Sequence, residues 1–465
     1  MSMALTIDLG STFTKATLFD LEKPAYLGRA QAPTTVSTDV TIGLRAALAK
    51  LQEETGRDPY SAQVKLASSS AAGGLKMVAI GLVPELTAEA ARRSALGAGA
   101  KVEAVFSYTL TSSDVNKLLG LEPDLVLLAG GTDGGNGEVV VKNAAALAGS
   151  ALQVPVIYAG NRVMQDEVAH ILTAAGKEVF FAGNVMPEFG VLDTEPTSQV
   201  VRELFLSRIT QAKGIKGAES LVDGIIMPTP TAVLKGADLL ATGTKFHPGV
   251  GDLLIIDVGG ATTDVHSVAL GAPRRPGVIH KGLPEPRVKR TVEGDLGLRC
   301  NAPSILAAVG GEALLENFTA SRPMMEELPK MVDRLGQSPG TLPETSIGQE
   351  LDRALAQAAA IVGLSRHCGR LEEVFTLEGR KEVQYGKDLT GVKVVLGTGG
   401  FFANARWGRG VIEAALGKLP PATLGPREAE VVLDSDYLLA AAGLLAEVEP
   451  DAALLILRTQ LGLGE

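Results

Sequence analysis

The amino-acid sequence predicts an α/β protein in which a doubly wound β/α domain is inserted into a second, larger α/β architecture. Three observations carry this. Between residues 60 and 190, short apolar runs alternate with helical stretches, the grammar of a parallel sheet covered by helices. Outside that stretch, apolar strands end in glycine-rich turns, at Gly10-Ser11-Thr12, Gly259-Gly260 and Gly397-Thr398-Gly399-Gly400. The chain has 465 residues, more than a single hydrophobic core organises.

The elements follow in order. Residues 4–9 read as a first strand and 15–20 as its hairpin partner. Residues 42–54 place Leu44, Leu48 and Leu51 on one helical face, ended by Gly56 and Pro59. The alternation then begins, with strands at 64–67, 102–108, 124–129, 154–158 and 179–182 and helices at 88–97, 112–119, 136–148 and 162–175. Residues 124–129 are nearly all apolar, as a central parallel strand buried on both faces requires. Residues 196–211 read as a helix, 253–258 as an apolar strand and 272–290 as a loop rich in Pro, Gly, Lys and Arg. Helices are expected near Ala302 and over 349–365 and 435–447, and strands at 383–385 and 392–396. No fixed-period repeat is present.

Composition bounds the function. Aromatic residues are only 4%, so the core is built from Ala, Val, Leu and Ile. The net charge of −10 argues against nucleic acid as a partner. It does not argue against a nucleotide, whose phosphates are met locally by backbone amides and a metal ion. Cys300 and Cys368 are the only cysteines, which fits a reducing cytoplasm better than a disulfide framework. The start MSMALTIDLGSTFTK lacks a signal-peptide pattern, and no apolar run reaches the ~18–20 residues of a membrane span. A cytoplasmic protein without membrane contact is the expectation.

The glycine-rich turns carry the chemistry. The first is Asp8-Leu9-Gly10-Ser11-Thr12 with Lys15 behind it; the second runs Asp257-Val258-Gly259-Gly260-Ala261-Thr262-Thr263-Asp264; the third is Gly397-Thr398-Gly399-Gly400. Glycines let backbone approach a phosphate and aim several N–H groups at it, and Ser and Thr hydroxyls add donors. Asp8 and Asp257, at strand ends, suit hydrated Mg²⁺, which prefers oxygen ligands. One such turn alone is an ordinary turn; the ordered set is specific.

The set resembles the phosphate-1, phosphate-2 and adenosine motifs of the actin-like ATPase superfamily, which includes sugar kinases and heat-shock chaperones. Met227-Pro228-Thr229-Pro230-Thr231-Ala232 resembles the connecting segment those chaperones place before phosphate-2, except that Thr229 stands where they carry an acidic residue. A closer resemblance spans nearly the whole chain. Leu66-Ala67-Ser68-Ser69-Ser70-Ala71-Ala72-Gly73-Gly74, Leu128-Ala129-Gly130-Gly131-Thr132-Asp133-Gly134-Gly135-Asn136, Arg290-Thr291-Val292-Glu293-Gly294-Asp295-Leu296-Gly297 and Gly386-Lys387-Asp388-Leu389-Thr390 are similar to the glutamate (methylaspartate) mutase accessory family called MutL or GlmL, which is not the DNA mismatch-repair protein of that name. The resemblance implies duplicated, ribonuclease H-like domains: the first part of an actin-like core over 1–60, the inserted domain over 61–190 and the rest of the core over 191–465. It implies a chaperone-like reactivating factor for an adenosylcobalamin-dependent mutase, with ATP and Mg²⁺ as cofactors, mutase subunits as partners and a homodimer allowed.

In that reading Asp8 and Asp257 position Mg²⁺ and the attacking water, and Lys15 neutralises charge. Gly10, Ser11, Thr12, Gly259, Gly260, Thr262 and Thr263 hold phosphates, and Gly397, Thr398, Gly399 and Gly400 meet the nucleoside. A small-molecule kinase with Asp264 or Asp257 as base, and a nucleotide-gated scaffold, are the competing functions. Residues 130–137 follow a parallel strand and read equally as an anion nest or a packed turn. Arg290, Glu293 and Asp295 read as cleft residues or as a solvated charged loop, and the resemblance implies the cleft. His170, His247, His266, His280 and His367 show no metal-ligand spacing. Arg274, Arg275, Lys281, Arg287, Lys289 and Arg290 read as a solvated loop, with partner docking as the second reading.

Overall fold

The computed structural model describes residues 2–10, 12–35, 39–70, 75–209, 225–320, 322–337, 343–376, 379–404 and 407–464. The chain divides into two compact units, one of Met1–Lys235, Gly282–Pro284 and Ala440–Ala453, the other of Gly236–Lys281, Glu285–Leu439 and Leu454–Glu465.

The first unit holds ten strands in chain order: β1 (Met3–Leu9), β2 (Phe13–Asp20), β3 (Ala25–Pro33), β4 (Val64–Ser69), β5 (Lys76–Gly81), β6 (Lys101–Ser107), β7 (Leu125–Leu128), β8 (Val156–Tyr158), β9 (Val179–Phe181) and β10 (Ile225–Pro228). They form two sheets, ordered β10-β4-β1-β2-β3 and β6-β5-β7-β8-β9. In the first, β1, β2 and β3 form an antiparallel meander, while β4 and β10 join in parallel. The strand expected at 64–67 therefore belongs to this sheet, beside β1. The second sheet is parallel throughout, with the order of a doubly wound fold whose first strand is β5.

The second unit repeats the first sheet's plan. Its strands are β11 (Leu253–Val258), β12 (Thr263–Val268), β13 (Ile279–Lys281), β14 (Val288–Glu293), β15 (Arg370–Thr376), β16 (Gly379–Tyr385), β17 (Val394–Thr398) and β18 (Glu430–Leu433). The main sheet runs β14-β12-β11-β17-β18, with β11, β12 and β14 antiparallel and β17 and β18 parallel to β11. Order and strand sense match β3-β2-β1-β4-β10 position by position. This is the duplicated, actin-like arrangement, and the doubly wound sheet lies between β4 and β10 in the chain. A smaller sheet, β13-β16-β15, completes the unit.

Local chemistry places the helices. Val40–Thr55 starts at Asp39, whose side chain accepts the Thr41 N–H, and stops at Gly56 in the left-handed conformation. Its buried face, Val40, Leu44, Ala47, Leu48 and Leu51, packs in one core with Leu5, Ile7 and Leu18. Ser112–Leu121 opens with a capping box of Thr111 and Asp114. The 22-residue helix Ser346–His367 carries five of its alanines at positions 354, 356, 358, 359 and 360 into the core beneath β11 and β12. Alanine there brings helix and sheet close, which suits a chain poor in aromatics. Among the described residues, no helix is long and apolar enough to cross a membrane.

The Gly386–Thr390 motif has an architectural role. Lys387 is fully buried, and its ammonium donates to the Ser267 hydroxyl at 3.3 Å and the Arg287 carbonyl at 2.7 Å. Burial, helped by the charge of Lys289, pushes this lysine down to about 7. A free lysine titrates near 10.4, so between roughly pH 7 and pH 10 the unfolded chain binds the extra proton and stability rises with pH. Urea unfolding at pH 7 and pH 9 is expected to show that rise in the wild type and a flatter dependence in Lys387→Met. Equal pH slopes would show that Lys387 is not the source.

Candidate functional site

Each unit ends its first strand in the same tight hairpin. In the first unit Gly10 N–H closes the turn on Phe13 C=O at 3.2 Å; in the second Gly259 N–H closes it on Thr262 C=O at 2.9 Å. Two residues before each glycine stands an aspartate, Asp8 or Asp257. The ladder sets Lys15 opposite Asp8 and Asp264 opposite Asp257.

In the first unit, the carboxyl ends of three parallel strands bring three polar side chains together. Asp8 on β1 lies beside Ser68 on β4, and Thr229 opens the helix Thr229–Thr242 directly after β10. The Lys15 ammonium sits 3.0 Å from Asp8 Oδ2. Thr229 Oγ1 donates to Asp8 Oδ1 at 2.6 Å, with Ser68 Oγ at 3.4 Å. Both carboxylate oxygens are thus engaged, and the position at which the resembling chaperones carry an acid instead holds a donor to Asp8. Ser11 lies outside the described residues, and Thr12 is exposed at the turn.

In the second unit, residues 294–301 clasp the Gly259-Gly260-Ala261-Thr262 turn from behind. Leu298 N–H donates to Gly259 C=O at 3.1 Å, Arg299 and Cys300 N–H to Gly260 C=O at 2.8 and 3.0 Å, and the Asn301 side-chain amide to Ala261 C=O at 2.9 Å. Gly297 is obligatory, because a Cβ there would stand 2.3 Å from the Ala261 carbonyl. With Gly259 N–H on Thr262 C=O, every carbonyl of the turn has a protein donor. Among the described residues, the amides of Gly260, Ala261 and Thr262 have no protein acceptor, and Gly260 and Ala261 are exposed. Carbonyls tied to one side leave consecutive N–H groups for the other, the polarity of an anion-binding nest.

Asp257 is positioned from the neighbouring strand. Gly399, with φ of +90°, lies so close that a Cβ would fall 2.0 Å from Asp257 Oδ1. The expected nucleoside motif therefore includes a glycine that makes room for the acid. Gly397 packs against Ile412, Leu433 and Phe402, whereas a Cβ on Gly400 would meet open space. Thr398 Oγ1 and the N–H groups of Leu438 and Leu439 share the buried Asp434 carboxylate, which burial pushes up. Thr263 is fully buried with its hydroxyl on Leu296 C=O at 2.7 Å, facing the clasp. Asp264 is held by the buried Arg290 guanidinium at 3.3 Å.

The remaining motifs have structural partners. In the 130–137 loop, Asp133 N–H is on Pro187 C=O, Gly134 N–H on the Asn161 side chain and Gly135 N–H on Thr132 C=O, the arrangement of a packed turn. Glu293 and Asp295 both accept from Arg366 at 2.7 Å. Arg290 pairs inside its own sheet with Asp264. These three are thus bound within the second unit. Of the basic loop residues, Arg275 pairs with Glu382, Arg287 with Asp238 and Lys289 with Glu285, and Lys281 lies over the Tyr385 ring. His367 bridges Thr291 and Ser267 in the core. Sequence reading did not single out Arg299, Asn301, Asp352 or Asp434; Arg299 and Asp352 find each other across 53 residues, whereas Asp434 caps the helix that starts at Leu438, a local signal that could have marked it.

Gly399→Ala is expected to lose about 1–3 kcal/mol of stability in urea unfolding, from left-handed strain and the clash with Asp257. Gly400→Ala is expected to match the wild type. Equal stabilities of the two variants would remove Gly399 as the residue that sets Asp257.

Comparisons with known proteins agree on one family. A family model described as MutL protein matches residues 4–461. Protein MutL of Clostridium tetanomorphum is 44% identical over 462 residues, 99% of either chain. Among solved structures, component A of the Acidaminococcus fermentans (R)-2-hydroxyglutaryl-CoA dehydratase covers 99% of both chains at 12% identity with a TM-score of 0.32. The activator of the 2-hydroxyisocaproyl-CoA dehydratase from Clostridium difficile, solved with bound ADPNP, covers 100% of this chain and 98% of its own at 9% identity, with a TM-score of 0.32. Structural likenesses of that degree carry no argument, and the fold assignment stands on the repeated strand order. The match over residues 4–461 and the 44% identity across both full lengths place the chain in the MutL protein family.

Proposed function

We propose that the protein is an ATP-binding, slowly hydrolysing accessory factor that restores an adenosylcobalamin-dependent glutamate (methylaspartate) mutase or a related aminomutase. The observation that carries the nucleotide part is the Gly259–Thr262 turn, with its carbonyls tied back and three consecutive amides free beside Asp257. Family membership supports the accessory role.

The residues suit such a ligand. Phosphate oxygens would be received in the second unit by the amides of Gly260, Ala261 and Thr262, and the Gly10 turn with Lys15 is the corresponding feature of the first. Asp8 in the first unit and Asp257 in the second would each suit hydrated Mg²⁺. Mg²⁺-ATP, when bound, supplies a phosphoanhydride whose cleavage can drive a cycle in one direction. Hydrolysis would be slow, because Thr229 donates to Asp8 and brings no carboxylate to act on water.

Calorimetric titration with Mg²⁺-ATP tests the reading. Wild type is expected to bind, and Asp257→Ala and Gly259→Val to lose binding while keeping their melting transitions. An inactivated mutase is expected to regain activity with this protein and ATP together. No heat of binding in the wild type would sink the proposal, and stoichiometric phosphoryl transfer to a small acceptor would replace it with a kinase. Thr229→Glu is expected to raise the hydrolysis rate about a hundredfold, the lower range of a positioned general base; an unchanged rate would show that the threonine does not limit hydrolysis.

A further inference from the structure

The clasp behind the phosphate-type turn is itself anchored. Arg299 lies at its centre. Its backbone N–H holds Gly260 C=O, and its side chain passes over Gly260, with Cγ 3.6 Å from where a Cβ on that glycine would stand. Its guanidinium then grips Asp352 of the helix Ser346–His367 with two bonds, Nη1 to Oδ1 at 2.9 Å and Nη2 to Oδ2 at 2.6 Å. A third bond returns from Nη1 to the Leu298 carbonyl at 3.2 Å. Both side chains are about nine-tenths buried. The fork-on-fork geometry fixes direction as well as distance, which a lysine would not do.

The helix that carries Asp352 is held independently of the turn. The next residue, Arg353, donates to the Asn317 carbonyl and pairs with Glu350 at 3.2 Å. Glu350 also accepts the Thr319 N–H at 2.8 Å, and Gln357 reaches Asn317 Oδ1 at 3.0 Å. The helix that carries Asp352 is thus tied at several points, while Gly260 and Ala261 of the turn it serves are exposed.

We propose that Arg299 and Asp352 are positioning residues for the nucleotide phosphates: their ion pair holds residues 294–301 against the carbonyl side of the Gly259–Thr262 turn and so keeps the amides of Gly260, Ala261 and Thr262 aimed at an anion. Neither residue touches the ligand. This rests on the reading that the turn binds phosphate. If the pair fails, the turn can rotate its carbonyls outward, and a donor array becomes a mixture of donors and acceptors. The loss then falls on the charged part of the ligand and leaves recognition of the base and sugar intact.

The test compares ATP, ADP and adenosine on the full-length protein. In Arg299→Lys and Asp352→Asn, which keep the side-chain volume nearly constant, ATP and ADP affinities are expected to fall at least about tenfold, while adenosine binds as in the wild type. The exchange variant carrying R299D and D352R together is expected to recover part of the ATP affinity. Melting transitions of Arg299→Lys and Asp352→Asn identify folded material, and Leu351→Ala, a core truncation on the same helix, serves as the structural control: it is expected to lower the melting temperature without separating ATP from adenosine. Equal losses for ATP and adenosine, or wild-type ATP affinity in folded Arg299→Lys, would overturn the proposal. Absence of ATP binding by the wild type would instead overturn the nucleotide reading on which it rests.

Discussion

A strand that pairs on both edges and is covered on both faces can meet solvent only at its ends. β1 and β11 are such strands, and each carries a carboxylate at its carboxyl end, two residues before a glycine that closes a hairpin. That constraint organises both units. The apolar residues of β11, from Leu253 to Ile256, are fully buried, so the chemistry of the strand is displaced to Asp257 and the turn after it. The neighbouring parallel strands then deliver what surrounds the acid: Ser68 and Thr229 beside Asp8, and Thr398 and Gly399 beside Asp257. This is the general behaviour of open α/β sheets, in which the carboxyl edge carries function.

The two hairpins share a backbone and differ in charge. Lys15 in one occupies the ladder position of Asp264 in the other. A lysine opposite Asp8 completes a neutral pair. An aspartate opposite Asp257 puts two like charges side by side, and Arg290 from the next strand offsets one of them. Arg290 is buried and, among the described residues, its Nε and Nη1 have no hydrogen-bond partner, so it costs desolvation that a purely structural role could avoid. Duplication has preserved the hydrogen-bonded frame while the electrostatics of the two copies have separated.

Much of this was legible in the chain. The turns, their aspartates and most strands and helices stood out because glycine clusters and apolar runs are local signals. Which sheet a strand joins is not local. Residues 64–67 read as the start of the inserted rhythm, yet β4 pairs with β1, since a parallel strand carries the same apolar pattern whichever sheet receives it. β3, β5, β10, β12, β13, β14, β15 and β18 were missed. β14 lies at the end of a stretch rich in Pro and Arg, and its burial comes from Asp264, Thr291 and His367 rather than from an apolar run. The clasp was invisible for another reason: the motif from Arg290 to Gly297 was seen, but its role depends on hydrogen bonds to a turn some thirty residues earlier and on an acid some fifty residues later.

The placement of β10 has a consequence for how the chain is made. The first sheet is closed on one side by β10, which is synthesised only after the entire doubly wound domain. The cover over β4 and β10, Ala440 and Leu444 packing on Leu66, Met227 and Ala232, comes later still. A nascent chain emerging from the ribosome therefore carries β4 as an open edge from Ser69 until Ile225 has been made, with unpaired backbone groups that can recruit another strand. The inserted domain has local, sequential β/α pairings and can fold in the interval. Its early collapse brings the two ends of its own segment together and shortens the search that β10 must make to reach β4. Truncation anywhere before residue 453 leaves the first unit without its last pieces.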